Sequence, residues 1–290
     1  MESLATPVEL RNGRWYKRED LLRDPTYGVN GAKYRACRYL ISKAAEEGAH
    51  RVVSAASVLS PQSAMAAVLS ADLGLECEVI IGGTTVEKAM RHPSVAIAAA
   101  VGAKIRAVKV GYNPFLQREA ARAAEEPGVW RLPYGITTPS DANPEEVRAF
   151  LQLGAAQVRN LPDSVTDLVL PCGSGNTAAG VLYGLHDYPG SVRVVHLMGI
   201  GPDRVDWMRR RLGLFGRALV PRGIELDYTP LHPYWATYGD RMPETLDGIV
   251  LHPTYEGKIA RYLDVAAPLW WSARDGTTCF WIVGGPLAQA

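Results

Sequence analysis

Short apolar runs rich in β-branched residues alternate along the chain with longer segments in which apolar residues recur every three or four positions. The short runs predict buried strands at residues 51–54, 77–81, 104–110, 167–171, 192–198 and 279–283. The longer segments predict helices at residues 32–47, 61–73, 86–101, 144–159, 177–185 and 257–263. This alternation is typical of βαβ units, so we expect an α/β fold of mostly parallel, twisted sheets flanked by helices.

Two regions interrupt the alternation. Residues 132–143 collect turn-forming residues, which predicts that the chain passes from one domain to another there. Residues 199–253 are rich in proline, tyrosine, tryptophan and arginine, and the pattern defines no clear elements in them.

Composition narrows the class of protein. Hydrophobic residues make up 47% of the 290 residues and charged residues 21%, which favours a globular enzyme over a disordered chain. A net charge of +1 gives no overall attraction to nucleic acid or to an anionic membrane. Any basic surface for a partner must therefore be local.

The cysteines and apolar segments indicate the compartment. Cys37, Cys77, Cys172 and Cys279 lie far apart, which argues against a disulfide framework or a zinc site. No apolar run is long enough to cross a bilayer, and the first residues lack a secretory core. We therefore expect a cytoplasmic protein without membrane contact. The histidines show no metal-ligand spacing, and His196 is expected to lie in the core.

A glycine-rich segment forms the sharpest local motif. The buried-type strand predicted at residues 167–171 leads into a turn that precedes an apolar helix; the turn reads Gly173, Ser174, Gly175, Asn176, Thr177. Glycines allow a close approach of the backbone, and the start of a helix offers free N–H groups to an anion. The motif therefore predicts a phosphate site, although it is neither a Walker A loop nor a full dinucleotide fingerprint. The alternative is a tight turn that binds nothing.

Lys33 lies near the predicted start of a long helix. Asn30 is the expected N-cap, which places Lys33 in the first turn. A cation is disfavoured at that end of the helix dipole, and a destabilised ammonium gives the neutral amine that imine formation needs. The alternative is a solvated surface lysine.

The lysine segment and the glycine segment, in this order, resemble the fold-type II pyridoxal 5'-phosphate (PLP) enzymes, the superfamily of tryptophan synthase β, threonine dehydratase and cysteine synthase. The subgroup most similar contains 1-aminocyclopropane-1-carboxylate deaminase and D-cysteine desulfhydrase. Its Asp-Pro-x-Tyr-Glu/Thr-Gly-Lys motif is similar to His-Pro-Thr-Tyr-Glu-Gly-Lys at residues 252–258. These enzymes also have segments that are similar to residues 6–7, 17–21, 30–35 and 280–285 of this chain.

The resemblance implies a role for each of these residues. Lys33 would carry the Schiff base of PLP and act as a proton shuttle, and Glu256 would face the pyridine nitrogen. Tyr255 would be an acid/base or positioning group near the substrate. The cofactor phosphate would lie on Gly173, Ser174, Gly175, Asn176 and Thr177. Tyr255 and Glu256 could instead be a loop tyrosine and an ordinary first-turn glutamate.

The resemblance also implies two domains and a homodimer. The smaller α/β domain would comprise residues 40–135, and the larger PLP-binding domain would comprise residues 1–39 and 136–290.

One segment departs from the family pattern. Residues 57–63 correspond to the family's substrate loop. Ser60 aligns with the serine of that loop and is therefore a candidate for a substrate role. Pro61 stands where an asparagine normally bonds the phenolic oxygen of the cofactor, and proline has neither an amide side chain nor an N–H. Ser60 as N-cap and Pro61 as the first helical residue are the structural alternative. Val283, in the last predicted strand, likewise stands at a position where the family often has a polar residue.

The region after residue 200 interleaves arginines with aromatic residues. They are Arg204, Trp207, Arg209, Arg210, Arg211, Phe215, Arg217 and Arg222, followed by Tyr228, Tyr234, Trp235 and Tyr238. Such a segment suits a large anionic substrate such as a nucleotide or nucleic acid. A solvated amphipathic helix with core or oligomer contacts is the more ordinary interpretation. Tyr234 or Tyr238 is a candidate for a second active-site tyrosine.

The sequence thus predicts a PLP-dependent lyase or deaminase that acts on a small amine substrate, an amino acid, through a Schiff base at Lys33. Three alternatives stay open. The substrate could be an amino-acid group on a larger carrier, such as a modified nucleotide or DNA, that undergoes decarboxylation, elimination or replacement. The protein could bind PLP without turnover, or the glycine turn could bind a nucleotide with Lys33 incidental.

Overall fold

The computed structural model describes residues 5–138, 143–231, 237, 240–242, 245–266 and 269–284. These residues divide into two compact units. Unit 1 contains the described residues up to 22 and those from 143 onwards, and unit 2 contains residues 23–138.

The strands and helices that the hydrophobic pattern predicts follow one another in the predicted order, and the structure contains further strands and helices that the pattern did not predict. The strands are β1 (Val8–Arg11), β2 (Arg14–Arg18), β3 (Arg51–Ala55), β4 (Glu76–Gly82), β5 (Lys104–Val108), β6 (Val129–Leu132), β7 (Asp167–Cys172), β8 (Val194–Gly199), β9 (Glu225–Pro230), β10 (Thr245–Leu246), β11 (Ile249–Val250) and β12 (Thr278–Ile282). The helices are α1 (Ala32–Glu46), α2 (Gln62–Asp72), α3 (Val86–Ala89), α4 (Pro93–Ala100), α5 (Asn113–Ala123), α6 (Pro144–Ala155), α7 (Asn176–Leu185), α8 (Val205–Gly213), α9 (Glu256–Ala266) and α10 (Leu269–Ser272).

Unit 1 is built on a sheet with the strand order β1-β2-β12-β7-β8-β9. All neighbours pair in parallel except β1 and β2, which form an antiparallel hairpin at one edge. In β7, Leu168 and Leu170 belong to a core cluster with residues of α6, α7 and α8. Val169, between them, belongs to a second cluster with residues of α9. Because successive side chains of a strand point to opposite faces, the sheet is covered on both faces.

A close helix contact supports the position of α7, which begins at the glycine turn. A Cβ atom on Gly154 of α6 would lie 2.8 Å from the Cα of Gly180 in α7. Only glycine at both positions allows the two backbones to come so near.

His196 in β8 joins neighbouring strands of the same sheet. Its Nδ1 lies 2.9 Å from Asp227 Oδ2 of β9, and its Nε2 lies 3.2 Å from Asp167 Oδ1 of β7. The indole of Trp270 stacks on the imidazole with 3.8 Å between the ring centroids. The hydrogen bond with His196 lowers the pKa of Asp167. His196 is therefore a buried residue of the core with satisfied nitrogens, as expected.

Unit 2 contains a smaller parallel sheet with the strand order β5-β4-β3-β6. Val53 and Ala55 of β3 and Ile80 of β4 pack with Leu116 and Ala120 of α5.

The predicted α/β fold with mostly parallel sheets is confirmed. The helix predicted at residues 86–101 is wrong as one element, because it divides into α3 and α4. Pro93 begins α4 and holds His92 in an extended conformation (φ −94°, ψ 126°), which ends the preceding helical turn. The domain boundaries at residues 40 and 135 stay a prediction; the compact unit begins at Arg23 because α1 packs on α2.

In the described part of the chain, no helix combines the length and the apolarity that crossing a membrane requires.

Candidate active site

The glycine turn joins β7 to α7 in unit 1. Gly175 has a left-handed conformation (φ +86°, ψ −12°) and precedes the first residue of the helix, Asn176. The side-chain amide of Asn176 donates a hydrogen bond to Ser174 Oγ at 3.2 Å. No side chain caps the start of α7 among the described residues. The turn therefore has the geometry of an anion site at a helix N-terminus.

Three side chains enclose this turn so closely that its glycines cannot be replaced without displacement. A Cβ atom on Gly173 would lie 3.1 Å from a ring carbon of Tyr255. A Cβ on Gly175 would lie 3.0 Å from the ring of Trp207 and 3.2 Å from the Cβ of Arg204. Tyr255 and the start of α8 thus form walls of the candidate phosphate site.

Glu256 is the first residue of α9 and is fully buried. Its Oε1 accepts hydrogen bonds from the backbone N–H groups of Val283 (2.6 Å) and Gly284 (3.2 Å). Its Oε2 is buried and has no hydrogen-bond partner among the described residues. Burial raises the pKa of Glu256 to about 8. A carboxyl group with one satisfied and one unsatisfied buried oxygen is suited to a ligand that donates a hydrogen bond or carries a positive charge.

Tyr255 lies in the turn that leads into α9. The imidazole of His252 packs against the phenol ring of Tyr255, with 4.9 Å between the centroids. The Gly257 amide donates to the His252 carbonyl at 3.0 Å, which fixes the turn. These contacts orient the ring of Tyr255 toward Gly173.

Lys33 is the second residue of α1 in unit 2, in the first turn as predicted, and is half-buried. The prediction that Asn30 caps this helix is wrong. The N-cap is Gly31, whose φ of +96° and ψ of −177° favour glycine. The side-chain amide of Asn30 instead donates to the Gly28 carbonyl at 2.8 Å and tightens the preceding turn.

Ser60 and Pro61 form the entry to α2 in unit 2. Ser60 Oγ accepts from the Gln62 amide at 3.3 Å, and Ser60 O accepts from Ser94 Oγ at 2.6 Å. Pro61 (φ −67°, ψ −9°) precedes the first helical residue, Gln62, so Pro61 is the cap residue rather than the first residue of the helix. Ser60 still supplies the capping type of hydrogen bond.

The structure brings one group of the predicted residues together within unit 1: the glycine turn, Tyr255 and, next to it in the chain, Glu256. Lys33 and Ser60 belong to unit 2. The candidate tyrosines Tyr234 and Tyr238 lie outside the described residues. Sequence reasoning did not find the contact of Trp207 and Arg204 with Gly175, because these residues follow different strands and no local spacing links them.

The family model of pyridoxal-phosphate dependent enzymes matches residues 3–225, which is most of the chain. This chain belongs to the family of pyridoxal-phosphate dependent enzymes. The predicted cofactor, PLP, is thereby confirmed, and so is the resemblance to the fold-type II superfamily.

Three relatives define the neighbourhood of this PLP-dependent enzyme. The O-seryl-dTMP PLP-dependent decarboxylase of Salmonella phage ViI is 29% identical over 98% of this chain and 80% of the relative. The 1-aminocyclopropane-1-carboxylate deaminase of Burkholderia lata is 27% identical over 89% of this chain and 80% of the relative. The crystal structure of an ACC deaminase homologue has the same fold, with a TM-score of 0.70 and 22% identity over 97% of this chain and 89% of that chain.

The residues of unit 1 fit PLP at two points. The glycine turn offers helix amides and hydroxyl groups of the kind that hold a phosphate, with Ser174 and Thr177 at its surface. The unsatisfied Oε2 of Glu256 suits a protonated pyridine nitrogen, which would also stabilise the buried carboxylate. The residues of unit 1 therefore offer hydrogen-bond donors to the phosphate and an acceptor to the ring nitrogen of the cofactor.

Proposed function

We propose that this enzyme removes the α-carboxylate from an amino-acid group, such as an O-linked seryl group, that is carried on a nucleotide. The observation that carries the proposal is the similarity to the O-seryl-dTMP decarboxylase, which extends over 98% of this chain at 29% identity. The deaminase of Burkholderia lata aligns with 89% of the chain. The nucleotide that carries the amino-acid group is either free or part of DNA.

The cofactor half of the site supports lyase chemistry in general. When bound, PLP supplies an electron sink for the electron pair that a broken Cα bond leaves behind. In the proposal, Gly173 to Thr177 hold its phosphate, and Glu256 Oε2 keeps a proton at its ring nitrogen, which strengthens the sink. Lys33 Nζ would hold the cofactor through a covalent bond to its aldehyde carbon.

The bond that breaks is decided by the residues around the substrate. In decarboxylation the carboxylate leaves as CO2, and one proton must be delivered to Cα in its place. Lys33 Nζ is the group that we assign to this proton transfer. Tyr255, held against Gly173 by His252, orients the substrate.

The substrate half supports a substrate other than a free amino acid. Pro61 stands where the family has an asparagine whose side-chain amide contacts the cofactor, and proline has no such amide. The backbone of Pro61 forms the start of α2. Exposed arginines of α8, Arg209 and Arg210, provide positive charge on unit 1. The proposal assigns the phosphates of the carrier to residues 204–222. The homodimer and the cytoplasmic location stay predictions.

A second candidate function is the deamination of a free amino acid. It is favoured by the similarity to 1-aminocyclopropane-1-carboxylate deaminases and by the Tyr255-Glu256 motif that this subgroup shares. The two functions give different products from the same cofactor: CO2 and an amine, or ammonia and a 2-oxo acid.

Product analysis separates the two functions. The purified enzyme loaded with PLP is incubated with O-seryl-dTMP and, separately, with 1-aminocyclopropane-1-carboxylate, D-cysteine and L-serine, with Lys33→Ala as the inactive control. We expect CO2 release and an amine product from the seryl nucleotide alone. Ammonia and a 2-oxo acid from a free amino acid, with no CO2 from the nucleotide, would replace the proposal by the deaminase function.

A further inference from the structure

The glycine turn lacks a positive charge of its own. Its residues, Gly173 to Thr177, offer only neutral N–H and O–H donors. The start of α7 contributes the equivalent of roughly half a positive charge. A phosphate ester carries up to two negative charges, so a cation near this turn would strengthen its binding.

Arg204 lies at this turn. It is the residue before α8, and its Cβ is 3.2 Å from the position that a Cβ on Gly175 would occupy. Arg204 Nε is buried and has no hydrogen-bond partner within the described ranges. The neighbouring carboxylate of Asp203 accepts instead from the Val205 amide at 2.7 Å.

A second observation shows that the charge of Arg204 reaches the end of β7. Burial raises the pKa of the Cys172 thiol to about 12, and the charge of Arg204 acts in the opposite direction. Cys172 is the last residue of β7 and directly precedes Gly173. The charge of Arg204 therefore acts on the residue that directly precedes the glycine turn.

Three other arginines of this region make contacts away from the glycine turn. Arg209 pairs with Asp206, and Arg217 donates to Asp187 and to the Tyr183 carbonyl. The guanidinium of Arg211 lies over the Trp207 ring at 4.3 Å. Arg204 differs from these three because its own Cβ lies against the glycine turn, at Gly175.

We propose that Arg204 binds the cofactor phosphate and supplies the charge that the glycine turn lacks. The inference rests on the proposed phosphate role of Gly173 to Thr177. It assigns a cofactor-binding function to a residue that follows β8, next to the turn that follows β7. The cofactor phosphate would thus be held by two adjacent strand ends of unit 1.

The test compares PLP with pyridoxal, which has the same aldehyde and ring but no phosphate. Both are titrated into cofactor-free wild type, Arg204→Gln, Arg204→Lys and Arg261→Gln, and binding is followed by the visible absorbance band. Arg261 is exposed on α9 of the same unit and serves as the matched control. Circular dichroism checks that each variant is folded.

We expect Arg204→Gln to weaken PLP binding by about 10- to 100-fold, the effect of losing one charged hydrogen bond, with pyridoxal binding unchanged. Arg204→Lys should restore part of the loss, and Arg261→Gln should bind both compounds like the wild type.

Two results would overturn the inference. Unchanged PLP binding in Arg204→Gln would show that the phosphate does not use this residue, and equal loss of PLP and pyridoxal would show a merely structural role. A wild type that binds neither compound would overturn the proposed function as well, so the two failures are distinguishable.

Discussion

The turn from β7 to α7 and the turn from β3 to α2 stand at equivalent places, each after a parallel strand and before a helix, and yet they differ in chemistry. The first reaches its helix through Gly175 in a left-handed conformation, and no side chain caps the helix. The second reaches its helix through Pro61, which has no N–H, and Ser60 Oγ accepts from the Gln62 amide.

The difference teaches where an anion can bind. A helix start binds a phosphate only if its amides are unsatisfied and its backbone is accessible. The β7–α7 turn has no side-chain cap and a backbone opened by glycine, whereas in the β3–α2 turn Ser60 Oγ accepts from the Gln62 amide and Pro61 has no N–H. This difference favours the β7–α7 turn of unit 1 as the place for the phosphate in the proposed function.

The largest expected effect on the cofactor half comes from Glu256. Glu256→Gln keeps an oxygen for the amides of Val283 and Gly284 but removes the carboxylate, so the ring nitrogen loses its proton. We expect turnover to fall by roughly 100-fold or more, with PLP still bound. Steady-state kinetics of the loaded enzyme measure this. Glu145→Gln, an exposed first-turn glutamate of α6, should leave turnover unchanged. Equal turnover in Glu256→Gln and wild type would remove Glu256 from the site.

The same residue makes the cofactor-free protein sensitive to pH. Burial raises the pKa of Glu256 from 4.5 to about 8, so the folded state holds this proton more tightly than the unfolded state. The free energy of unfolding should therefore decrease as the pH rises from about 4.5 to about 8. Urea unfolding at several pH values should show that Glu256→Gln lacks this part of the decrease. Parallel pH profiles for both proteins would contradict the raised pKa.

A smaller effect is expected from the shape of the glycine turn. Gly175→Ala places a Cβ 3.0 Å from the Trp207 ring at a φ of +86°, a strain of about 1–3 kcal/mol. We expect the PLP affinity to fall about 10-fold, measured by absorbance titration. Gly213→Ala is the matched control, since nothing lies within 4 Å of its added Cβ. Unchanged PLP affinity in Gly175→Ala would place the phosphate elsewhere.

The smallest effect is expected from the β3–α2 turn. Pro61→Asn restores the residue type that the family has there, and the backbone conformation of Pro61 is one that asparagine adopts without strain. We expect a change in unfolding free energy of less than about 1 kcal/mol, and a higher ratio of ammonia to CO2 released. Pro61→Ala separates the added amide from the lost ring. If both variants keep the wild-type ratio, residue 61 does not select the reaction.

The sequence predicted secondary structure best where a buried strand consists of a continuous run of apolar residues. β7 and β8 follow directly from such runs, and so does the glycine turn between β7 and α7. β2 was missed because buried polar residues interrupt its pattern: Lys17 Nζ donates to the Thr6 carbonyl at 2.9 Å and to Asn160 Oδ1 at 2.6 Å. The second of these partners is distant in the chain, so no local pattern indicates that Lys17 is buried.

The candidate site shows the same limit. Glu256 was found through a local motif, but its unsatisfied oxygen depends on β12, whose last residues bind the other oxygen. Arg204 looked like one of several arginines in a polar segment. Only the pairing of β7 with β8 places it beside Gly175.

The covalent attachment of PLP at Lys33 is the claim on which the enzyme's proposed chemistry depends. The most direct measurement is borohydride reduction of the PLP-loaded protein, followed by mass spectrometry of its peptides, for wild type, Lys33→Ala and Lys43→Ala, a second lysine on α1. We predict a visible absorbance band that reduction removes, and a phosphopyridoxyl group on the peptide that contains Lys33, in wild type and in Lys43→Ala. A wild type that stays colourless with added PLP, or a label on another lysine, would contradict the account.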